Sequence, residues 1–314
     1  MARIILHLPE RLHQTYQSRD DMLYKRVEDH LGPRGAQIVL QTRPPKDARM
    51  ADGDLHIVDN GRVNAPGYLN ACTAYLKGFW HLDPQGVLAE SGIAALPYDP
   101  DLVDKPAADA FAARIRARFA GARQSRYRQP RAREALPEGA IAVFLQGPSP
   151  QNLGHAHCTV AEMLAAVAMG AQGRPVLVKP HPLKPDLGRA QIAAACARGH
   201  ALVATDANVH DILACAAVTV SINSAVALEG FQHGKPAILF GKSDFHHFVE
   251  TVRAPEAFPA ALRAALARRD DHARALYWYF GQHCLWLDAP DFEARLLAIF
   301  ARAGFDAPRL GLRA

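Results

Sequence analysis

No stretch of the chain approaches the roughly 18 consecutive apolar residues that a membrane-spanning helix needs. Paired Cys-x-x-Cys is also absent. The five cysteines (Cys72, Cys158, Cys196, Cys215 and Cys284) are odd in number and irregularly spaced. Such a set excludes a disulfide framework and points to reduced thiols in a cytoplasmic protein. Neither Gly-x-Ser-x-Gly nor Gly-x-Gly-x-x-Gly occurs, which disfavours an α/β-hydrolase elbow and a dinucleotide dehydrogenase. Gly241-Lys-Ser243 lacks the earlier glycine and the following helix of a phosphate-binding P-loop. Glycine and proline, 22 each in 314 residues, are too sparse for a collagen-like or linker-like chain. The apolar run Ile4 to Leu8 is too short for a signal peptide and reads as a first strand.

What is present is a globular composition, 49% hydrophobic and 21% charged, at a length that suggests two domains. The formal charge of +5 invites an anionic partner. It is unevenly spread. From Lys105 to Glu138 nine basic residues face three acidic ones, which leaves the remainder of the chain slightly negative.

Short apolar runs alternate with helical ones: strands over 4–8, 37–41 and 55–58, an amphipathic helix over 20–31, and a helix or helix–loop over 68–80 that ends in the turn Trp80-His-Leu-Asp-Pro-Gln-Gly86. A helix carrying Phe111, Ile115 and Phe119 then fades into Arg123-Gln-Ser-Arg-Tyr-Arg-Gln-Pro-Arg131, which reads as an exposed connector. This predicts an N-terminal domain over 1–135, with a basic connector over 105–135, and a C-terminal domain over 136–314. The second half repeats the rhythm, with strands over 140–145, 176–178, 201–204, 218–221 and 237–240. Helices intervene over 160–169, 189–198, 209–216 and 224–232, and helices over 260–267, 273–280 and 292–303 follow. Continuous apolar strands between helices predict α/β architecture, two doubly wound Rossmann-like domains with C-terminal helices. Ligands are then expected at the C-terminal ends of strands.

Two segments carry the chemistry. In Val218-Thr-Val-Ser-Ile-Asn-Ser-Ala-Val-Ala-Leu-Glu-Gly230 a buried strand ends in Ser221, Asn223 and Ser224 and a helix starts at once, a ready phosphate site. Glu229 lies about a turn and a half into that helix, placed to accept from a ribose diol. Plain helix capping by the same residues is the structural alternative. In Lys179-Pro-His-Pro182 two prolines fix His181 at a strand end, where an imidazole can donate to a phosphate or leaving group and Lys179 adds charge. Asp52-Gly-Asp54 has the spacing of a metal-binding pair but reads as a turn. His155, His157, His246 and His247 lack the companion ligands of a zinc site. No metal and no cofactor is expected. Only Tyr127 interleaves the connector arginines, so a stacking platform for nucleic acid is not expected either.

Taken together, Gln146 at a strand end, Lys-Pro-His-Pro, Ser-Ile-Asn-Ser…Leu-Glu-Gly and Gly-Lys-Pro-Ala-Ile-Leu-Phe-Gly241 resemble the capsule polysaccharide biosynthesis and export family, which includes bacterial Kdo transferases of the GT-B type. The Trp80–Gly86 segment is similar to that family's N-terminal signature. The resemblance covers about 140–242 and thins before it. It implies a GT-B fold and a glycosyltransferase of capsular or surface polysaccharide synthesis using a nucleotide-activated sugar such as CMP-Kdo, without metal. His181, Ser221, Asn223, Ser224 and Glu229 would hold the nucleotide and its phosphate, with Gln146 beside them. The implied acceptor is a glycan or glycolipid, and the basic segment adds peripheral contact with an anionic inner-membrane surface. The family pattern places acid after the strand Gln, whereas Gln146-Gly-Pro-Ser-Pro-Gln-Asn-Leu-Gly154 has none. Asp83 is the best substitute, with His181 the other catalytic candidate. The missing acid also motivates an alternative, a non-catalytic sugar-nucleotide-binding or assembly partner of polysaccharide synthesis.

Overall fold

A computed structural model describes residues 1–42 and 52–313. They divide into two units, Met1–Leu96 with Tyr279–Ala314, and Pro97–Trp278. The strands in chain order are β1 (Ile4–Leu8), β2 (Ile38–Thr42), β3 (Leu55–Asp59), β4 (Tyr68–Thr73), β5 (Phe79–Asp83), β6 (Ala140–Phe144), β7 (Val176–Lys179), β8 (Val203–Ala204), β9 (Ala216–Ser221), β10 (Ala237–Leu239), β11 (Glu250–Thr251) and β12 (Leu285–Trp286). Both units are α/β and built on six-stranded sheets. No described helix is long and apolar enough to cross a membrane.

In the first unit the order is β12-β5-β4-β3-β1-β2. β2, β1, β3 and β4 run parallel, and β5 and β12 are added antiparallel. β1 and β3 are buried along their whole length, as central parallel strands must be. The Leu23–Leu31 helix and the returning Phe292–Arg302 helix cover one face, where Leu23, Val27, Leu296 and Phe300 join Ile4, Leu6, Leu55 and Ile57 in a single core.

The 68–80 segment, expected to be helical, is instead the β4–β5 hairpin. Tyr75 at φ 59° and Gly78 at φ 88° make its turn. β4 is buried on both faces, so its sequence lacks the alternation that would mark a strand.

The second unit has the order β11-β10-β9-β6-β7-β8, all parallel. Its Val160–Met169 helix starts with a reciprocal capping box, in which Thr159 accepts from the Glu162 amide and Glu162 accepts from the Thr159 amide. The division does not fall near residue 135. The Lys105–Arg116 helix buries Ala108, Phe111, Ala112 and Ile115. It is tied to the second unit by Lys105–Asp271 at 3.6 Å and by Arg116 Nε donating to the Gln232 carbonyl at 2.9 Å. An apolar stripe outweighs the arginines on its other faces. The last helix belongs to the first unit.

The aromatic run at 277–280 is shared out by the same division. Tyr277 and Trp278 meet Phe111 and Tyr98, whereas Tyr279 and Phe280 meet His81 and Phe79.

Candidate functional site

The second sheet reverses its winding at β6. β7 pairs on one side of it and β9 on the other, and the ends of such strands are where α/β sheets bind ligands. Gln146, His181 and Asn223 each lie two residues past the end of one of these three adjacent strands, so one edge of the sheet gathers both motifs. Gln146 and Asn223 are paired. The Gln146 side-chain amide donates to Asn223 Oδ1 at 3.1 Å, and the Asn223 backbone N–H donates to Gln146 Oε1 at 2.9 Å. Asn223 Nδ2 donates to the Lys242 carbonyl at 3.0 Å, which ties the Gly-Lys turn after β10 to the same loop. Gly241 is required there, because a Cβ would lie 2.7 Å from the His155 carbonyl and 2.9 Å from Ile222.

The serines shape the loop. Ser221 Oγ accepts the Ser224 N–H at 3.0 Å, and Ser224 Oγ accepts the Val226 N–H at 3.3 Å. Ser221 is only 3% exposed. Ser224 and Asn223 are half-buried, and the Ser224 hydroxyl acts as an acceptor in this loop.

His181 is half-buried as well. Its Nδ1 accepts the Leu183 N–H at 3.2 Å, so the proton of the neutral ring sits on Nε2. Burial, and next the Arg126 charge, hold its pKa below the ordinary histidine value. Near pH 7 it is therefore a neutral donor through Nε2.

Two expected ligand residues are engaged within the protein. Lys179, 9% exposed, donates from Nζ to the carbonyls of Asp206 at 3.1 Å and Ala207 at 2.7 Å. Burial lowers its pKa. It is a strut from β7 to the start of the Val209–Cys215 helix, not an added charge for a phosphate. Glu229, 2% exposed, faces inward and not toward a ribose. Its Oε1 accepts the Ser125 hydroxyl at 2.9 Å, while Oε2 has no hydrogen-bond partner among the described residues and lies 3.9 Å from His210 Nε2. Burial pushes its pKa up to about 7.

Residues 123–130, expected to be an exposed connector, form a strap across this region. Arg123, Ser125, Tyr127 and Gln129 are half-buried, and the residues between them are exposed. This period of two is that of an extended chain lying on a surface. The Arg123 guanidinium forks onto Asp211 at 3.1 and 2.5 Å. Gln129 Oε1 accepts the Val209 N–H at 3.1 Å, and Asn208 Nδ2 donates to the carbonyls of Arg123 and Pro130.

His210 Nε2 lies 2.7 Å from the Gln124 carbonyl. A carbonyl only accepts, so Nε2 carries the proton and Nδ1 accepts from His233 Nε2 at 3.0 Å. Burial lowers the pKa of His210, and lowers that of His233 to about 4. Tyr127 meets His181 edge-on, with ring centroids 5.2 Å apart. Arg123 to Gln129 is polar on both sides, so the alternation seen in burial has no counterpart in the sequence.

In the first unit, Asp83 is consumed by its own loop. Oδ1 accepts the N–H groups of Gln85 and Gly86, and Oδ2 that of Gly92, at 2.7, 3.1 and 2.9 Å. Both oxygens organise the turn after β5, which does not suit a catalytic carboxylate. Asp52 and Asp54 are committed too, to His56 at 2.9 Å and to the Arg3 guanidinium at 2.6 and 2.8 Å. Among the described residues no group of three His, Cys, Asp or Glu could hold a metal.

No protein-family model matches the chain, and no curated protein matches it in sequence. Among solved structures it is similar to Thermosulfurimonas dismutans KpsC, β-Kdo 2,4 transferase, with a TM-score of 0.56 and 15% identity over 88% of this chain and 89% of that one. It is similar also to the β-Kdo 2,7 transferase of KpsC from the same organism, with a TM-score of 0.56 and 14% identity over 97% and 99%. The chain thus has the two-unit, GT-B-type α/β fold of these β-Kdo transferases.

Proposed function

We propose that the chain is a glycosyltransferase of capsular or surface polysaccharide synthesis that uses a nucleotide-activated sugar, with CMP-Kdo the favoured donor. One observation carries this reading. The β6, β7 and β9 ends bring Gln146, His181 and the Asn223–Ser224 loop to the winding reversal of a sheet whose fold is that of β-Kdo transferases. The neutral His181 Nε2–H and the Ser224 hydroxyl supply donors for the phosphate oxygen that departs with the nucleotide, so charge developing there is stabilised by groups already in place. Ser221 and Lys179 hold the two loops from below. The acceptor, a glycan or glycolipid, belongs to the first unit in this reading. The exposed Arg126, Arg128, Arg131 and Arg133 favour an anionic acceptor or membrane surface, as binding to acidic vesicles that is lost in high salt would show.

Calorimetry with CMP and UDP tests the donor site. His181→Ala should weaken binding about tenfold, the loss of one hydrogen bond to a charged group. No binding by the parent protein at millimolar nucleotide would overturn the reading. A second reading, a sugar-nucleotide-binding partner without turnover, is favoured by the engaged Asp83 and the lack of any carboxylate from Gln146 to Gly154. Transfer from a CMP-, UDP- or GDP-sugar panel would eliminate it.

A further inference from the structure

We propose that the Arg123–Pro130 strap is a wall of the His181 site, in which Tyr127 is a positioning residue for the imidazole and Arg126 a second donor to the anion that His181 meets. The ligand part of this rests on the donor-site reading above. The contact between strap and histidine stands without it.

The strap is anchored on both sides of residues 126–128. Before them, Arg123 forks onto Asp211, Ser125 donates to Glu229, and the Gln124 carbonyl accepts from His210 Nε2. After them, Gln129 caps the Val209–Cys215 helix and the Pro130 carbonyl is held by Asn208. Tyr127 is thus pinned between two fixed points, with its ring edge against His181. On the other flank the Leu183 N–H holds Nδ1. The imidazole is gripped on ring and nitrogen alike, which leaves Nε2 as its outward group.

Arg126 is exposed, unlike its half-buried neighbours Ser125 and Tyr127, and its guanidinium carbon lies 5.9 Å from the centre of the Tyr127 ring that meets His181. Its charge is felt at His181, where it adds to burial in lowering the pKa. Lys179, the cation of the Lys-Pro-His-Pro motif, is spent on two carbonyls. Among the described residues Arg126, whose guanidinium lies beside the ring that touches His181, is thus the cation placed to act with this histidine. A guanidinium beside a neutral N–H donor is a pairing suited to phosphate oxygens.

The test follows the His181 ring by NMR titration in the full-length, ligand-free protein, with CMP affinity measured by calorimetry on the same samples. Arg126→Gln should move the His181 midpoint upward and weaken CMP about tenfold. Tyr127→Ala should disturb the His181 signal and weaken CMP by a similar factor, and Tyr127→Phe, which keeps the ring edge, should restore both. An unchanged His181 titration in Arg126→Gln and Tyr127→Ala would overturn the proposal whether or not CMP binds. Unchanged CMP affinity in Arg126→Gln would remove the ligand role of the arginine. If the titration shifts while the parent protein binds neither CMP nor UDP, the strap contact holds and the nucleotide reading alone fails.

Discussion

Glu229 shows how far burial can redirect a residue. In sequence it is a helix-face carboxylate one and a half turns after a phosphate-type loop. In the fold it is sealed beneath Ser125 and beside His210. With a pKa raised to about 7, it keeps its proton where an unfolded glutamate has already lost one. The stability this gives is complete below the unfolded value and is lost as pH rises through about 7. Glu229→Gln retains an acceptor for Ser125 but does not ionise. Denaturant midpoints should therefore show the variant gaining on the parent between pH 5 and 8, by about 2 kcal/mol. A constant difference across that range would refute the assignment. His210 and His233, whose pKa values are lowered, act in the opposite direction, but they are common to both proteins and cancel in the comparison.

Elements carry the next level of decision, and the β7 turn illustrates it. Lys179-Pro-His-Pro182 was legible as a rigid strand end, because two prolines act locally. What seats it is the Pro185–Ala197 helix, through Gly188. A Cβ at Gly188 would lie 2.7 Å from Pro180 Cβ and 3.0 Å from its Cα. Gly188→Ala must push the helix off the turn, at a cost of about 1–3 kcal/mol, and CMP affinity should fall with it. A fully stable variant with parental affinity would show that the turn is held some other way.

Legibility tracks how local the determinants are. The strand over 4–8 and the helix over 160–169 were placed to the residue, since each carries its own apolar pattern and boundary. The strap was not. Its sequence is polar on both sides, and its partners Asp211 and Glu229 lie 88 and 104 residues further on. The β4–β5 hairpin was misread because a strand buried on both faces shows no period of two.

Across the whole molecule, the chain leaves its first unit at Pro97 and returns to it at Tyr279. The return supplies β12 at a sheet edge together with Leu285, Leu287, Phe292, Leu296 and Phe300 of the first core. A chain ending at Trp278 should expose that core. Limited proteolysis should then cut throughout residues 1–96 and spare Pro97–Trp278. Equal protection of both units in the truncated chain would contradict the division.

The sequence by itself determined the α/β rhythm and the two loops after β7 and β9, because apolar runs, prolines and helix starts act over a few residues. Only the tertiary structure decided which of the singled-out side chains are engaged within the protein. Lys179, Glu229 and Asp83 were taken inward by carbonyls, a hydroxyl and backbone N–H groups, since a buried polar group must find a partner. The arginine-rich stretch became a wall, because the residues that hold it are distant in sequence and close only once the second sheet has formed.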